Sequence, residues 1–180
     1  MSLRLFLTDL KSATKTNSIV VNVKWFIFNH ALHLLFLFRL GQDLYRIPII
    51  GKVFGFFVEY LIRILYASDI SCRAKVSEGF VILHGHDIVI GSDVVIGKNC
   101  KIFNGVTLGN KDTTKSSYGE QPEIGNNVTL STGSKILGGI IIGDNVVVGA
   151  NAVVIKSFPA NVVIAGIPAK IVKNLGVTSV

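Results

Sequence analysis

A branched aliphatic residue recurs at every sixth position along the second half of the chain. The row runs Ile90, Ile96, Ile102 and Leu108, breaks once, and resumes as Ile124, Leu130, Ile136, Ile142, Val148 and Val154. Glycine usually follows it (Gly91, Gly97, Gly109, Gly125, Gly143, Gly149), and a small or β-branched residue stands four positions on (Val94, Cys100, Val106, Val128, Ser134, Val146, Ala152). A period of six matches neither the 3.6 of an amphipathic helix nor the alternation of an open strand. It predicts short strands joined by tight turns, three such units closing each coil of a parallel β-helix. The aliphatic fills the prism, and glycine is expected where the chain bends without a Cβ. The row reaches back through Ile82, Val76 and Ile70 to a start near Asp69, but the step from Ile82 to Ile90 is eight positions. That two-residue slip contains Leu83-His84-Gly85-His86. A second interruption, 110–123 (NKDTTKSSYGEQPE), is polar and rich in turn formers, and reads as a loop extruded from the wall.

Residues 1–68 follow a different pattern. The stretch 18–38 holds Trp25, Phe26, Phe28, Leu32, Leu34, Leu35, Phe36 and Phe38, interrupted by Lys24, Asn29, His30 and His33. The stretch 47–67 places Lys52, Glu59 and Arg63 among Phe54, Phe56, Phe57, Tyr60, Leu61, Ile64 and Leu65. Neither provides the uninterrupted apolar run of about 20 residues expected of a spanning helix. Both fit amphipathic helices, and two roles stay open: peripheral membrane contact through 18–67, or packing against protein as a cap on the solenoid or against a partner subunit. The fold class is thus mainly β, a β-helix over 69–172 behind a short hydrophobic α-helical segment, with 173–180 as a tail.

The formal net charge of +7 lies mostly in the greasy segment. Residues 1–68 carry eight Lys and Arg against three Asp and Glu, while the remainder carries ten against eight. A basic excess on an apolar stretch, without a polar face and interleaved aromatics, argues against nucleic acid as a partner and suits an anionic lipid surface. Cys72 and Cys100 form no metal-ligand spacing, and no metal site is expected. Without a signal peptide or a cysteine framework, the expected compartment is the cytoplasm, at the inner face of the membrane if the segment binds lipid.

The slip is where chemistry is expected. A bulge re-aims a side chain out of the packing direction, and a neutral His84 so presented could take the proton of an attacking alcohol. Such a base needs a second group to orient it and hold its developing charge. Asp69, fifteen residues earlier, comes within one coil of His84 once the slip is counted; Asp87 is the local competitor, and His86 reads as an exposed neighbour.

The hexapeptide rows, GVTLG at Gly105–Gly109, KILGG at Lys135–Gly139 and AGIPAKIV at Ala165–Val172 together resemble the left-handed β-helix acyltransferases. The branch most similar in character is that of serine acetyltransferase and its relatives that O-acetylate capsule, lipopolysaccharide and exopolysaccharide sugars. This resemblance, over 69–172, implies a homotrimer with active sites between subunits and acetyl-CoA as co-substrate along the groove between prisms. It implies His84 as catalytic base and Asp69 as its support. The co-substrate would run past Gly109, Thr132 and Ala150, with Lys156 and Lys170 towards its phosphates.

Two departures bear on the acceptor. The serine enzymes place an aspartate, serving the amino acid, immediately before the histidine, where this chain has Leu83. They end the loop in Arg-His-Pro, helping to hold the substrate carboxylate, where this chain has Glu120-Gln121-Pro122. The expected acceptor is therefore a carbohydrate hydroxyl of a surface polysaccharide, with serine O-acetylation as the alternative and a non-catalytic scaffold as the reading from another class.

Overall fold

The computed structural model describes residues 2–112 and 114–176. Four helices come first: α1 (Ser2–Thr14), α2 (Ile19–Phe28), α3 (His30–Leu44) and α4 (Ile50–Tyr66). Short strands then wind in coils of three. The first coil holds β1 (Asp69–Ile70), β2 (Lys75–Val76) and β3 (Val81–Leu83), and the second β4 (Val89–Ile90), β5 (Val95–Ile96) and β6 (Lys101–Phe103). The third has β7 (Thr107–Gly109), β8 (Glu123–Ile124) and β9 (Thr129–Leu130), and the fourth β10 (Lys135–Leu137), β11 (Ile141–Ile142) and β12 (Val147–Val148). β13 (Val153–Val154) opens the last coil, and the hairpin of β14 (Val162–Gly166) and β15 (Ala169–Asn174) closes it. β15 takes in the first two residues of the expected tail; 177–180 lie outside the described residues.

Stacking makes three parallel faces: β1-β4-β7-β10-β13, β2-β5-β8-β11, and β3-β6-β9-β12-β14, the last edged by antiparallel β15. The register gives both interruptions their size. Lys135 pairs with Val153 and Glu123 with Ile141, eighteen positions apart, as three units of six require. Asp69 pairs with Val89, twenty apart, so the His84 slip adds two residues to the first coil. Val95 pairs with Glu123, twenty-eight apart, so the loop adds ten.

All thirteen aliphatics of the row from Ile70 to Val154 are buried, as are Cys100, Ser134 and Ala152 among the small positions behind them. Glycine after the aliphatic works differently from the turn role expected of it. Gly79, Gly105 and Gly133, none of which directly follows a row aliphatic, take left-handed corners with φ between 71° and 76°, and so do five asparagines: Asn99, Asn127, Asn145, Asn151 and Asn161 have φ between 55° and 62°. Four of these stack at one corner. The Asn99 amide donates to Asn127 (3.4 Å), Asn127 to Asn145 (3.0 Å) and Asn145 to Asn161 (2.8 Å). Asparagine tolerates this conformation because its short amide bonds locally. Glycine after the aliphatic serves close approach instead at Gly97, Gly125 and Gly143. A Cβ on Gly97 would stand 2.6 Å from the Gly125 carbonyl oxygen of the coil beneath, well inside contact distance.

The first coil pairs on one side only, and helices complete the other. Buried Arg39 of α3 donates from Nη1 to the Val76 carbonyl and from Nη2 to the Ser77 carbonyl, both at 2.7 Å. Its Nε meets the carboxylate of buried Asp9 of α1 at 2.9 Å, and Asp9 in turn accepts the Phe80 amide. Gln42 donates to the Ala74 carbonyl, and Glu59 of α4 accepts the Cys72 amide at 2.7 Å. Leu34, Leu35, Phe38 and Ile62 seal the same interface. The helical segment is therefore a cap on the solenoid, the protein-facing role left open by its sequence. The outer faces of α2 and α4 remain exposed, with Ile19, Val20 and Phe28 at 79% and Ile50, Val53 and Phe56 at 65–68%.

Two predictions follow from this packing. Asp9→Ala leaves a buried guanidinium without its anion and should cost about 3–5 kcal/mol in urea unfolding. Exchanging both partners for apolar residues (Asp9→Leu with Arg39→Met) should not recover it, because the Val76 and Ser77 carbonyls then lose their donors; recovery to wild-type stability would refute this. Burial pushes the Cys100 thiol up to about 11 and the Cys72 thiol higher still. Both should resist iodoacetamide at neutral pH in the folded protein and react on unfolding.

Candidate active site

The slip places His84 at the corner between the third face and the first. The chain leaves β3 at Leu83, and His84 takes a left-handed backbone with φ 57°, as does Asp87. For a non-glycine residue that conformation costs on the order of 1 kcal/mol, and it turns the side chain out of the wall. His84 and His86 are exposed while Ile88, four positions on, returns fully to the core.

Asp69 flanks the same corner one coil earlier. Its amide donates to the Ile88 carbonyl at 2.8 Å, and the Ile88 amide donates to Ser68 Oγ at 3.1 Å. The structure thus brings Asp69 beside the bend that carries His84. Its carboxylate, however, is engaged by Arg63 Nη2 of α4 at 2.6 Å, and no hydrogen bond joins it to His84 among the described residues. Both members of this ion pair are more than half exposed, so it is weak and easily exchanged. Arg63 is a residue that sequence spacing did not single out, because its partner is fixed only when α4 docks on the first coil. Lys135 is another. It lies on the outward column Asp69–Val89–Thr107–Lys135, and its ammonium bonds the Gly105 carbonyl and Thr107 Oγ1 (3.1 Å).

Thr132 and Ala150 stand on the His84 corner. The Gly105 amide donates to the His86 carbonyl, the Gly133 amide to the Asn104 carbonyl and the Asn151 amide to the Thr132 carbonyl, so His86, Asn104, Thr132 and Ala150 stack one per coil. At about 4.8 Å per coil the four span roughly 14 Å. Thr132 and Ala150 are exposed and small, which leaves a shallow track down from the histidine corner. Gly109 lies elsewhere, at the end of β7 on the first face, where a Cβ would meet nothing within 4 Å. Lys156 and Lys170 come together in the last coil, lining one cleft of about 210 Å³ with Ile155, Pro168 and Ala169. Two ammonium groups at one small cleft suit a phosphate-bearing ligand.

The extruded loop leaves from a different corner, between β7 and β8. Its base is pinned from inside: Gln121, 8% exposed, accepts the Asp93 amide and donates to Asn110 Oδ1, both at 2.8 Å. Asp93 in turn accepts the Gly119 amide at 2.8 Å. Glu120 faces Lys115 at 3.4 Å. Of the two residues standing where the serine enzymes carry Arg-His, one is therefore a buried strut and the other is an anion. A cavity of about 350 Å³ opens under the loop, lined by Lys75, Asp93, Tyr118, Gln121 and Glu123. A single chain holds this cavity and His84 at separate corners of the prism.

Comparison with known proteins places this architecture. The bacterial transferase hexapeptide (six repeats) family matches residues 121–156. A serine acetyltransferase of Synechococcus elongatus is 37% identical over 141 residues, covering 77% of this chain and 55% of that relative. One from Buchnera aphidicola is 34% identical over 170 residues, 93% of this chain and 63% of the relative. The chain thus spans a little over half the length of such curated relatives. The crystal structure of Neisseria gonorrhoeae serine acetyltransferase superposes with a TM-score of 0.88 at 27% identity, covering 98% of this chain and 68% of that one. The Brucella abortus enzyme in complex with coenzyme A gives 0.85 at 27% identity, covering 96% and 68%.

Gln121→Ala removes the strut and leaves the Asp93 amide and Asn110 Oδ1 without their partners. The expected loss is about 1–3 kcal/mol of local stability. Limited proteolysis within 110–120 should accelerate while global unfolding shifts little; unchanged cleavage would show that the loop base is held by other contacts.

Proposed function

Because the chain belongs to the hexapeptide-repeat transferases, with their left-handed β-helix, we propose that it is an acetyl-CoA-dependent O-acetyltransferase with His84 as general base. The observation that carries this reading is the corner itself. A two-residue slip turns an exposed imidazole outward above a stacked track of Asn104, Thr132 and Ala150, and the paired Lys156 and Lys170 lie beyond it in the last coil.

In the mechanism, His84 removes the proton from an acceptor hydroxyl as its oxygen attacks the thioester carbonyl carbon. The tetrahedral intermediate collapses with cleavage of the C–S bond, and the imidazolium returns its proton to the departing coenzyme A thiolate. No acyl-enzyme is needed. Asp69, once its carboxylate exchanges Arg63 for the ring, orients and stabilises the imidazolium. The coenzyme would lie along the Thr132–Ala150 track with its phosphates towards the lysine cleft, and the open space at Gly109 leaves room for a ligand to approach the first face. His84 and the loop stand at separate corners. A homotrimer, in which one copy's loop reaches another's histidine, would complete the site.

The names of the relatives support L-serine as the acceptor. A second reading, a carbohydrate hydroxyl, draws on Leu83 beside the histidine and on positions 120 and 121, where an anion and a buried strut supply no cation for a substrate carboxylate and Glu120 engages the loop's own Lys115. Coenzyme A release from acetyl-CoA, corrected for hydrolysis, should be followed with L-serine and a panel of sugars. Turnover with L-serine alone selects the first acceptor, and turnover with a sugar alone selects the second. His84→Ala should lower turnover by about 10²–10⁴-fold while acetyl-CoA still binds in a titration. Near-normal turnover would remove His84 from the mechanism, and absence of acetyl-CoA binding by the wild-type protein would leave a non-catalytic scaffold.

A further inference from the structure

We propose that the outer faces of α2 and α4 seat the protein on an anionic lipid surface. α4 has two apolar faces. Gly51, Gly55, Val58 and Ile62 pack inward on the cap, while Val53, Phe57, Tyr60 and Ile64 form an outward stripe at helical spacing, each about half or more exposed. Lys52 and Arg63 lie in the sector between these faces. On α2, Val21, Lys24, Trp25 and Phe28 line an open groove of about 480 Å³, which sets an ammonium and an indole among apolar side chains. Trp, Tyr and Lys at the edge of an apolar face are the residues that suit the headgroup level.

Charge selects the occupant. Residues 1–66 contain only three carboxylates, and each is committed internally. Asp9 is buried on Arg39, Asp43 holds the Ser2 and Leu3 amides, and Glu59 accepts from Cys72 and Tyr45. Seven of the eight cations are exposed, and Arg4, Lys11, Lys15, Lys24 and Lys52 meet no carboxylate among the described residues. A second copy docked on this surface would face cations with cations. A leaflet rich in anionic headgroups supplies both the missing counter-charge and an apolar phase. No single described helix is long and apolar enough to cross a membrane; α2 and α3 reach that length and apolarity only together and bent by 94°, and α3 spends its apolar face (Leu32, Leu34, Leu35, Phe38) on the cap, so the proposed contact is peripheral. The proposal does not depend on the acetyl acceptor.

The test is co-sedimentation of the full chain with phosphatidylcholine–phosphatidylglycerol vesicles and with phosphatidylcholine alone, beside sedimentation velocity without lipid. The wild type should partition at least tenfold better to the anionic vesicles and lose this advantage in high salt. Lys24→Glu with Lys52→Glu should reduce binding to the neutral-lipid level, at about fivefold or more per cation. Phe56→Glu with Phe57→Glu should lower it at least tenfold on both vesicle types. Equal binding to both lipids, no binding, or unaltered binding by the variants would overturn the proposal. So would a change of oligomeric state in the phenylalanine variant without lipid, which would make this face a contact between copies. Should a variant misfold, the lipid and salt dependence of the wild type decides alone.

Discussion

A parallel coil satisfies its backbone only through the coil beside it, so the first turn of the solenoid has one raw edge that something outside the repeat must complete. Arg39 stands at the centre of this, with Asp9, Gln42 and Glu59 bonding the rest of the edge. One guanidinium, fully buried, serves two carbonyls of the first coil and the carboxylate of Asp9, which serves an amide of that coil in turn. The arrangement explains why a charged pair sits in the most apolar part of the chain. Apolar side chains could seal the end against water but could not bond the edge, and an unpaired peptide group buried there would cost more than the helices gain by packing.

With that edge closed, the wall beyond it is regular enough that its two departures stand out against a fixed background. The slip adds two residues at one corner and the loop adds ten at another, yet Asp69 still stacks on Val89 and Val95 on Glu123 in parallel register. The inward aliphatics keep their column through both. Strain at His84 is therefore supported by packing on either side, with Ile82 and Ile88 both buried. A rigid frame that holds an exposed imidazole in an unfavourable backbone conformation is the arrangement expected where reactivity rather than stability sets the local geometry.

Much of this was legible in the sequence because the solenoid converts sequence spacing directly into spatial stacking. The row of aliphatics gave the core residue by residue, and the eight-residue step located the outward histidine. The glycine reading went astray for a physical reason: a missing Cβ serves a left-handed turn and a close approach equally, and only the coil beneath Gly97 shows which applies. Arg63 on Asp69 and the Lys135 ammonium on Thr107 escaped the sequence because their partners lie on other elements or other coils. The cap was one of two readings for the helices. Composition describes how apolar a helix is, while the choice of Arg39 and Asp9 as edge donors and acceptors emerges only once the first coil is in place.

The eighteen-residue register also constrains how such a chain can change length. Removing a single residue between Ile124 and Val154 would rotate every later aliphatic off the inner column and bring asparagine corners onto flat wall. Length in this wall is effectively quantised. Material enters as a whole coil, or it leaves the prism at a corner, as the ten residues after Gly109 do without moving Glu123 out of line. Diversity among relatives of this architecture should therefore collect at corners and ends, with the faces between them nearly fixed in extent.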